Sequence, residues 1–270
     1  MIPIRDNIPA RITPWVNYGM ILCCSLVFLI QVQDDNGRLV MEFGLVPVRL
    51  AHPDQQIIIQ SKQLGRDPFT GTPIFEQEVL PPSRLPVWTT LISCVFLHGS
   101  FLHLLGNMWF LHIFGDNVED RLGHWGYLLF ILGCGGLASG VHYLSDTDSV
   151  IPTIGASGAV AGVMGAYLLL YPHARVMALI PIFIILQMVV LPAPVFLGIW
   201  FLLQLLQGTF SMGGVQAGGV AWWAHIGGFI AGYGIVKLLD LNGATRPRVV
   251  VVRPGTEQSG VYRIHRPSQD

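Results

Sequence analysis

"IPTIGASGAVAGVMGAYLLLYP", residues 151–172, is small and apolar almost throughout, with one serine near its start. Gly155, Ala156, Ser157 and Gly158 form a G-x-S-G at the head of the run. Small residues then recur every four positions, Ser157, Ala161 and Gly165 on one row and Gly158, Gly162 and Ala166 on the next. Such rows let transmembrane helices approach closely. Taken alone the stretch reads as a packing helix, because a lone G-x-S-G is a weak signal for a nucleophile.

The rest of the chain sets the medium. Of its 270 residues, 52% are hydrophobic and 11% charged, and the mean hydropathy is +0.56. A soluble domain carries about 25% charged residues, so an integral membrane protein is expected. A net charge of -1 offers nothing to a nucleic acid. Cys23, Cys24, Cys94 and Cys134 show neither metal-ligand spacing nor a disulfide pattern. There is no H-E-x-x-H, and a zinc site from His98, His103 and His225 would lack a carboxylate partner within the spans. No metal and no cofactor are expected.

A bilayer crossing takes about 20 apolar residues. Candidates are 15–32, 101–118, 125–144, 155–171, something within 176–208, and 219–239. Residues 176–208 are too long for one span and are broken by Pro181, Pro192 and Pro194. They make either one span behind a membrane-hugging segment or two short spans. Lys and Arg collect in cytoplasmic segments. Six spans with the N-terminus inside put Arg5, Arg11, Arg121, Arg175 and the basic end of the chain on the inner side, whereas seven would place that end outside. A fifth span at about 193–208 follows.

The expected architecture is an all-α bundle of six transmembrane helices. Residues 1–14 form a cytoplasmic segment, and the run after them reads as an uncleaved span rather than a signal peptide. The membrane domain covers 15–240, including a polar, loop-like extracytoplasmic segment at 33–88 with room for short surface helices. Residues 241–270 read as a basic, mobile tail.

With six spans, the second, fourth and sixth all begin at the outer face. His103, Ser157 and His225 then share one depth. "AWWAHIGGFIAGYG", residues 221–234, sets His225 beside its own small row of Ala224, Gly228 and Gly232. Two helices with such rows are suited to pack together. An ionisable residue inside a span is costly and usually functional. Serine and histidine meeting at a tight contact match an activated nucleophile and its general base. Between Gly123 and Val236 the only acids are Asp146 and Asp148, in the outer loop 145–153. A dyad is therefore expected rather than a triad, with packing or a hydroxyl orienting the imidazole.

In "FLHGSFLHLLGNMWFLHIFGDNVEDRLG", residues 96–123, His103 and Asn107 share a helix face. Both can donate to a developing oxyanion, together with the uncapped N–H of Ser157 at a helix start. The competing reading is polar glue between helices. His98 is expected near the surface in a structural role, and His112 deeper, as a core or packing histidine. The charges between Gly115 and Gly123 are expected to cap the second helix on the inner side.

"HGSFLHLLGN", "GASGAVAGVMGAY" and "AHIGGFIAG", in that order on spans two, four and six, resemble the rhomboid family of intramembrane serine proteases over roughly 88–240. The resemblance implies a six-helix fold with Ser157 as nucleophile, His225 as base, and His103 and Asn107 as oxyanion donors. His98 would hold the neighbouring loop, with Gly155, Gly158 and Gly228 as structural residues near the site. It also implies cleavage of membrane-anchored proteins near the outer boundary of the bilayer. Two positions depart from the family pattern: Ala161 stands where an aromatic often stacks on the histidine, and Trp88–Thr89 where a Trp-Arg pair is frequent.

The uncharged, glycine-rich loop 209–218 reads as a mobile cap or an ordinary connector. Expected partners are transmembrane substrates and the lipid bilayer. The expected setting is a bacterial cytoplasmic membrane, with both termini inside and the site open outward. Two other classes compete: a silent rhomboid-like factor that binds client helices, and a small transporter. The second is disfavoured because the inner halves of the spans carry almost no ionisable residues. Neither substrate nor oligomeric state is legible.

Overall fold

The computed structural model describes residues 1–66, 70–79, 83, 85–182, 185–212 and 221–245. The chain is mostly helical. Its helices are α1 (Trp15–Gln31), α2 (Arg38–Phe43), α3 (Pro47–Ala51), α4 (Thr90–Ser93), α5 (Phe101–Ser145), α6 (Ser157–Leu170), α7 (Ala193–Met212) and α8 (Trp222–Leu241). Its strands are β1 (Ile2–Asp6), β2 (Ile58–Arg66), β3 (Pro73–Val79), β4 (Arg175–Ile182) and β5 (Ile185–Pro192). By length and composition, α5 and α8 are long and apolar enough to cross a membrane, and α1, α6 and α7 are shorter apolar helices.

The packing centre is α6 against α8, with α5 beside both. The small rows explain this. A Cβ on Gly228 would collide with the carbonyl oxygen of Gly158, and one on Gly232 with that of Gly162. On its other side, Gly158 faces Ala138 and Gly162 faces Cys134 of α5. Backbones this close gain dispersion contacts that bulkier residues would forbid. The phenylalanine and tyrosine rings of Phe114, Tyr167 and Phe196 fill the space between α5, α6 and α7.

α5 runs through the stretch expected to hold two spans, with a sharp break at Gly123, whose φ of 73° a side chain would resist. Three of the charges before the break, Glu119, Asp120 and Arg121, are buried and bond to other segments. Glu119 accepts the Val16 and Asn17 backbone N–H groups at 3.0 and 2.8 Å, satisfying the first turn of α1. Asp120 pairs with Arg11 at 2.7 Å, and Arg121 with Asp240 at the end of α8 at 3.1 Å.

The all-α expectation needs correction. The segment ahead of α7 is a β-hairpin of β4 and β5, and β1 adds to it antiparallel, pairing Ile2 with Leu179 and Asp6 with Val176. β2 and β3 make a second hairpin inside the segment 33–88, which also holds α2 and α3. Valine, isoleucine and proline between 175 and 192 suit strands better than a helix. α7 begins at Ala193, where a fifth span was expected, with Pro194 in its first turn. Most of the glycine-rich loop 209–218 and nearly all of the tail 241–270 lie outside the described residues.

Candidate active site

Three helix starts converge at one end of the bundle. Ser100 caps α5: its hydroxyl accepts the His103 N–H at 3.2 Å, which sets His103 in the first turn. Ser157 opens α6 and His225 lies in the first turn of α8. The loop before Ser157 is tied down by paired backbone bonds between Leu45 and Thr153, and by the Gly155 N–H donating to the Cys94 carbonyl at 2.9 Å.

The close packing of α6 on α8 brings Ser157 Oγ to 2.8 Å from His225 Nε2. His225 is buried and Ser157 is half-buried at the floor of a cavity of about 820 Å³. On its far side, His225 Nδ1 lies 2.7 Å from Gln204 Oε1 of α7. The Trp200 and Trp222 rings flank the imidazole with centroids 5.9 Å away, one tilted and one edge-on. Ala161 supplies no ring, and these two indoles occupy the space around the histidine instead.

His103 and Asn107 face the same floor. The Gly99 N–H donates to His103 Nδ1 at 3.3 Å, so the proton of the neutral ring sits on Nε2. Asn107 Nδ2 is buried with no hydrogen-bond partner among the described residues. Gly155, at φ 127°, is what lets the loop come near: a Cβ there would stand 2.8 Å from His103 Nε2 and 3.8 Å from Asn107 Nδ2. No side chain caps α6, so its first N–H groups, that of Ser157 included, lack a side-chain acceptor. The arrangement holds a hydroxyl beside a base, with His103 and Asn107 lining the same cavity.

His98 is not at the surface. It is fully buried, clamped through its backbone by Gln31 of α1, whose amide accepts the His98 N–H at 3.1 Å and donates to the His98 carbonyl at 2.6 Å. Burial, with His103 beside it, pushes its imidazole down to about 4, so the ring stays neutral and its Nε2 accepts the Ala156 N–H at 3.5 Å. His98 thus ties the start of α6 to the loop before α5. His112, expected as a core or packing histidine, is exposed. It shares the outward face of α5 with Leu102, Leu105 and Trp109. Gly158 and Gly228 are the contact between α6 and α8 described above. Gln204, Trp200 and Trp222 were not foreseen. The available signal was a glutamine inside the apolar run 193–208.

Residues 86–240 match the rhomboid domain model. Over 80 residues the chain is 45% identical to RHOMBOID-like protein 5 of Arabidopsis thaliana, covering 29% of this chain and 25% of that protein. It is 35% identical over 81 residues to the putative rhomboid protease YdcA of Bacillus subtilis, covering 30% of this chain and 40% of that one. It is 34% identical over 93 residues to Rhomboid protein 1, mitochondrial, of Saccharomyces cerevisiae, covering 33% and 27%. The chain therefore spans between a quarter and two fifths of the length of these relatives. A mitochondrial relative beside a bacterial one lends no support to the bacterial cytoplasmic membrane expected above.

Proposed function

The chain belongs to the rhomboid family of membrane proteins, and on that premise we propose that it is an intramembrane serine endopeptidase that cleaves membrane-anchored proteins with a Ser157–His225 pair. The observation that carries this reading is the 2.8 Å contact between Ser157 Oγ and His225 Nε2, in the same cavity as the Asn107 amide, which has no partner among the described residues.

In this reading α1, the two limbs of α5 on either side of Gly123, α6, α7 and α8 are the six spans, with the cavity opening to the outer side and both termini inside. Backbone amides within a bilayer are held in helices, so a substrate helix must unwind near the outer surface to present a peptide bond. Its carbonyl carbon enters the cavity above Ser157. His225 Nε2 takes the hydroxyl proton as Oγ attacks. The oxyanion of the tetrahedral intermediate accepts from His103 Nε2–H, Asn107 Nδ2–H and the Ser157 N–H. His225 then hands its proton to the leaving amine, which departs with one fragment. Water from the open end hydrolyses the acyl-enzyme by the reverse proton path.

Labelling of the purified protein in detergent by a fluorophosphonate tests the proposal. Wild type is expected to label, and Ser157→Ala and His225→Ala are not. Labelling that survives Ser157→Ala would remove the serine from the mechanism. A folded wild type that never labels would favour the silent, client-binding relative.

A further inference from the structure

Among the described residues, Gln204 is the polar side chain that faces the far side of the proposed base, and nothing in the mechanism above uses it. It sits on α7, whose other face carries the exposed Ile199, Leu203 and Leu206. Gln204 is turned inward and only 6% exposed. Its two ends are distinguishable by what they touch. Nε2 donates to the Trp200 carbonyl one turn back at 3.3 Å, which leaves Oε1 as the atom 2.7 Å from His225 Nδ1.

A carbonyl oxygen can only accept. The Nδ1 of His225 must therefore carry the proton, and in a neutral imidazole that leaves the Nε2 lone pair facing Ser157 Oγ. In the Ser–His–Asp template this task falls to a buried carboxylate, which holds the ring in its tautomer and orientation. The Trp200 and Trp222 rings limit ring position but have no acceptor for the Nδ1 proton.

Resting on the protease reading, we propose that Gln204 is a positioning residue, the neutral third member of a Ser157–His225–Gln204 relay, which selects the Nδ1–H tautomer of the base. It does not touch substrate. A neutral amide sets the tautomer without adding charge to the site. The competing account is a glutamine that merely glues α7 to α8.

Two variants separate these accounts. Gln204→Met keeps the volume and removes the acceptor, and Gln204→Glu keeps an acceptor oxygen in place. For each, fluorophosphonate labelling is followed as a function of probe concentration, giving a limiting rate and a half-saturation. Histidine ring ¹⁵N spectra are recorded alongside, with the His225 signals assigned by their absence in His225→Ala. The relay predicts a folded Gln204→Met protein whose limiting rate drops by about 10- to 100-fold, the scale of an orienting partner one hydrogen bond from the chemistry. Half-saturation should be unchanged, and the Nδ1–H signal of His225 lost. Gln204→Glu should restore most of the rate and the signal. A Gln204→Met protein with wild-type rate and an intact Nδ1–H signal would overturn the proposal. So would a folded Gln204→Glu as slow as Gln204→Met. If wild type never labels, the protease reading fails on its own, and the ¹⁵N spectra still decide: loss of the signal in Gln204→Met upholds the pairing, and its persistence refutes it.

Discussion

At the scale of single residues, the proposed site depends on donors left without partners. Asn107 Nδ2 is buried and unpaired among the described residues, and a buried unsatisfied amide costs stability unless something at the site makes use of it. If it serves the oxyanion, Asn107→Ala should slow cleavage and labelling by about 10²- to 10³-fold, the usual loss for one such donor, with thermal stability unchanged or slightly raised. A glue residue would show the opposite: lower stability and an unchanged rate. Gly155→Ala should be worse for both readouts, because its φ of 127° resists a side chain and the added Cβ would meet His103. The four residues with the sharpest chemistry, Ser157, His225, His103 and Asn107, were legible because polar groups stand out in apolar helices. Gln204 was not singled out, since an amide in a span reads as ordinary glue until its neighbour is known. His98 and His112 were misplaced for a related reason: which face of a helix or loop turns inward depends on partners that come from elsewhere in the chain.

At the scale of elements, the contact of α6 with α8 does two things at once. It buries the small rows, and it brings two side chains 68 positions apart into hydrogen-bonding distance. Gly228→Ala should therefore lower thermal stability by about 1–3 kcal/mol, the usual cost of overpacking a close contact, and reduce the labelling rate as the helices separate. Gly133→Ala offers the contrast. Nothing lies within 4 Å of its added Cβ, so the better helix former should leave thermal stability unchanged or raise it by up to about 1 kcal/mol. Melting followed by circular dichroism in one detergent checks both. The small rows and the start of α7 at Ala193 were readable from spacing and proline. The sheet of β1, β4 and β5 was not, since a short apolar run between prolines looks the same to hydropathy whether it is extended or helical.

Over the whole molecule, chemistry and restraint occupy opposite ends. The helix starts that carry the proposed site converge at one end. At the other, a buried polar cluster ties the N-terminal segment to α5 and α6, and α5 to α8. Asp6 sits in that cluster, accepting from Asn117 at 2.9 Å and from the Tyr167 hydroxyl, with the carboxyl of Asp116 nearby. Burial outweighs these bonds and pushes its carboxyl up from 3.8 to about 6. The folded form thus binds the Asp6 proton more tightly than the unfolded chain. Its contribution to stability is complete below pH 3.8 and is lost as pH rises through about 6. Acidifying from pH 7.5 to 5 should raise the protection of the β1 amides, taken as exchange relative to the intrinsic rate at each pH, and Asp6→Asn should reduce that gain. Protection of β1 that is the same at both pH values in the wild type would refute the buried carboxylate.

The amino-acid sequence by itself determined the membrane class, the family, the order of the three motif helices, and the serine and histidine proposed to react. The family follows from the resemblance of the three motifs; the rest follows from composition and local spacing, which hydrophobicity and side-chain chemistry make legible without coordinates. Tertiary structure alone decided the burial of His98, the exposure of His112, the sheet that joins the N-terminus to the segment before α7, and the glutamine behind the histidine. Each of these depends on which distant segment covers a residue. The period of a helix shows that a face exists, but only the packed chain shows what lies against it.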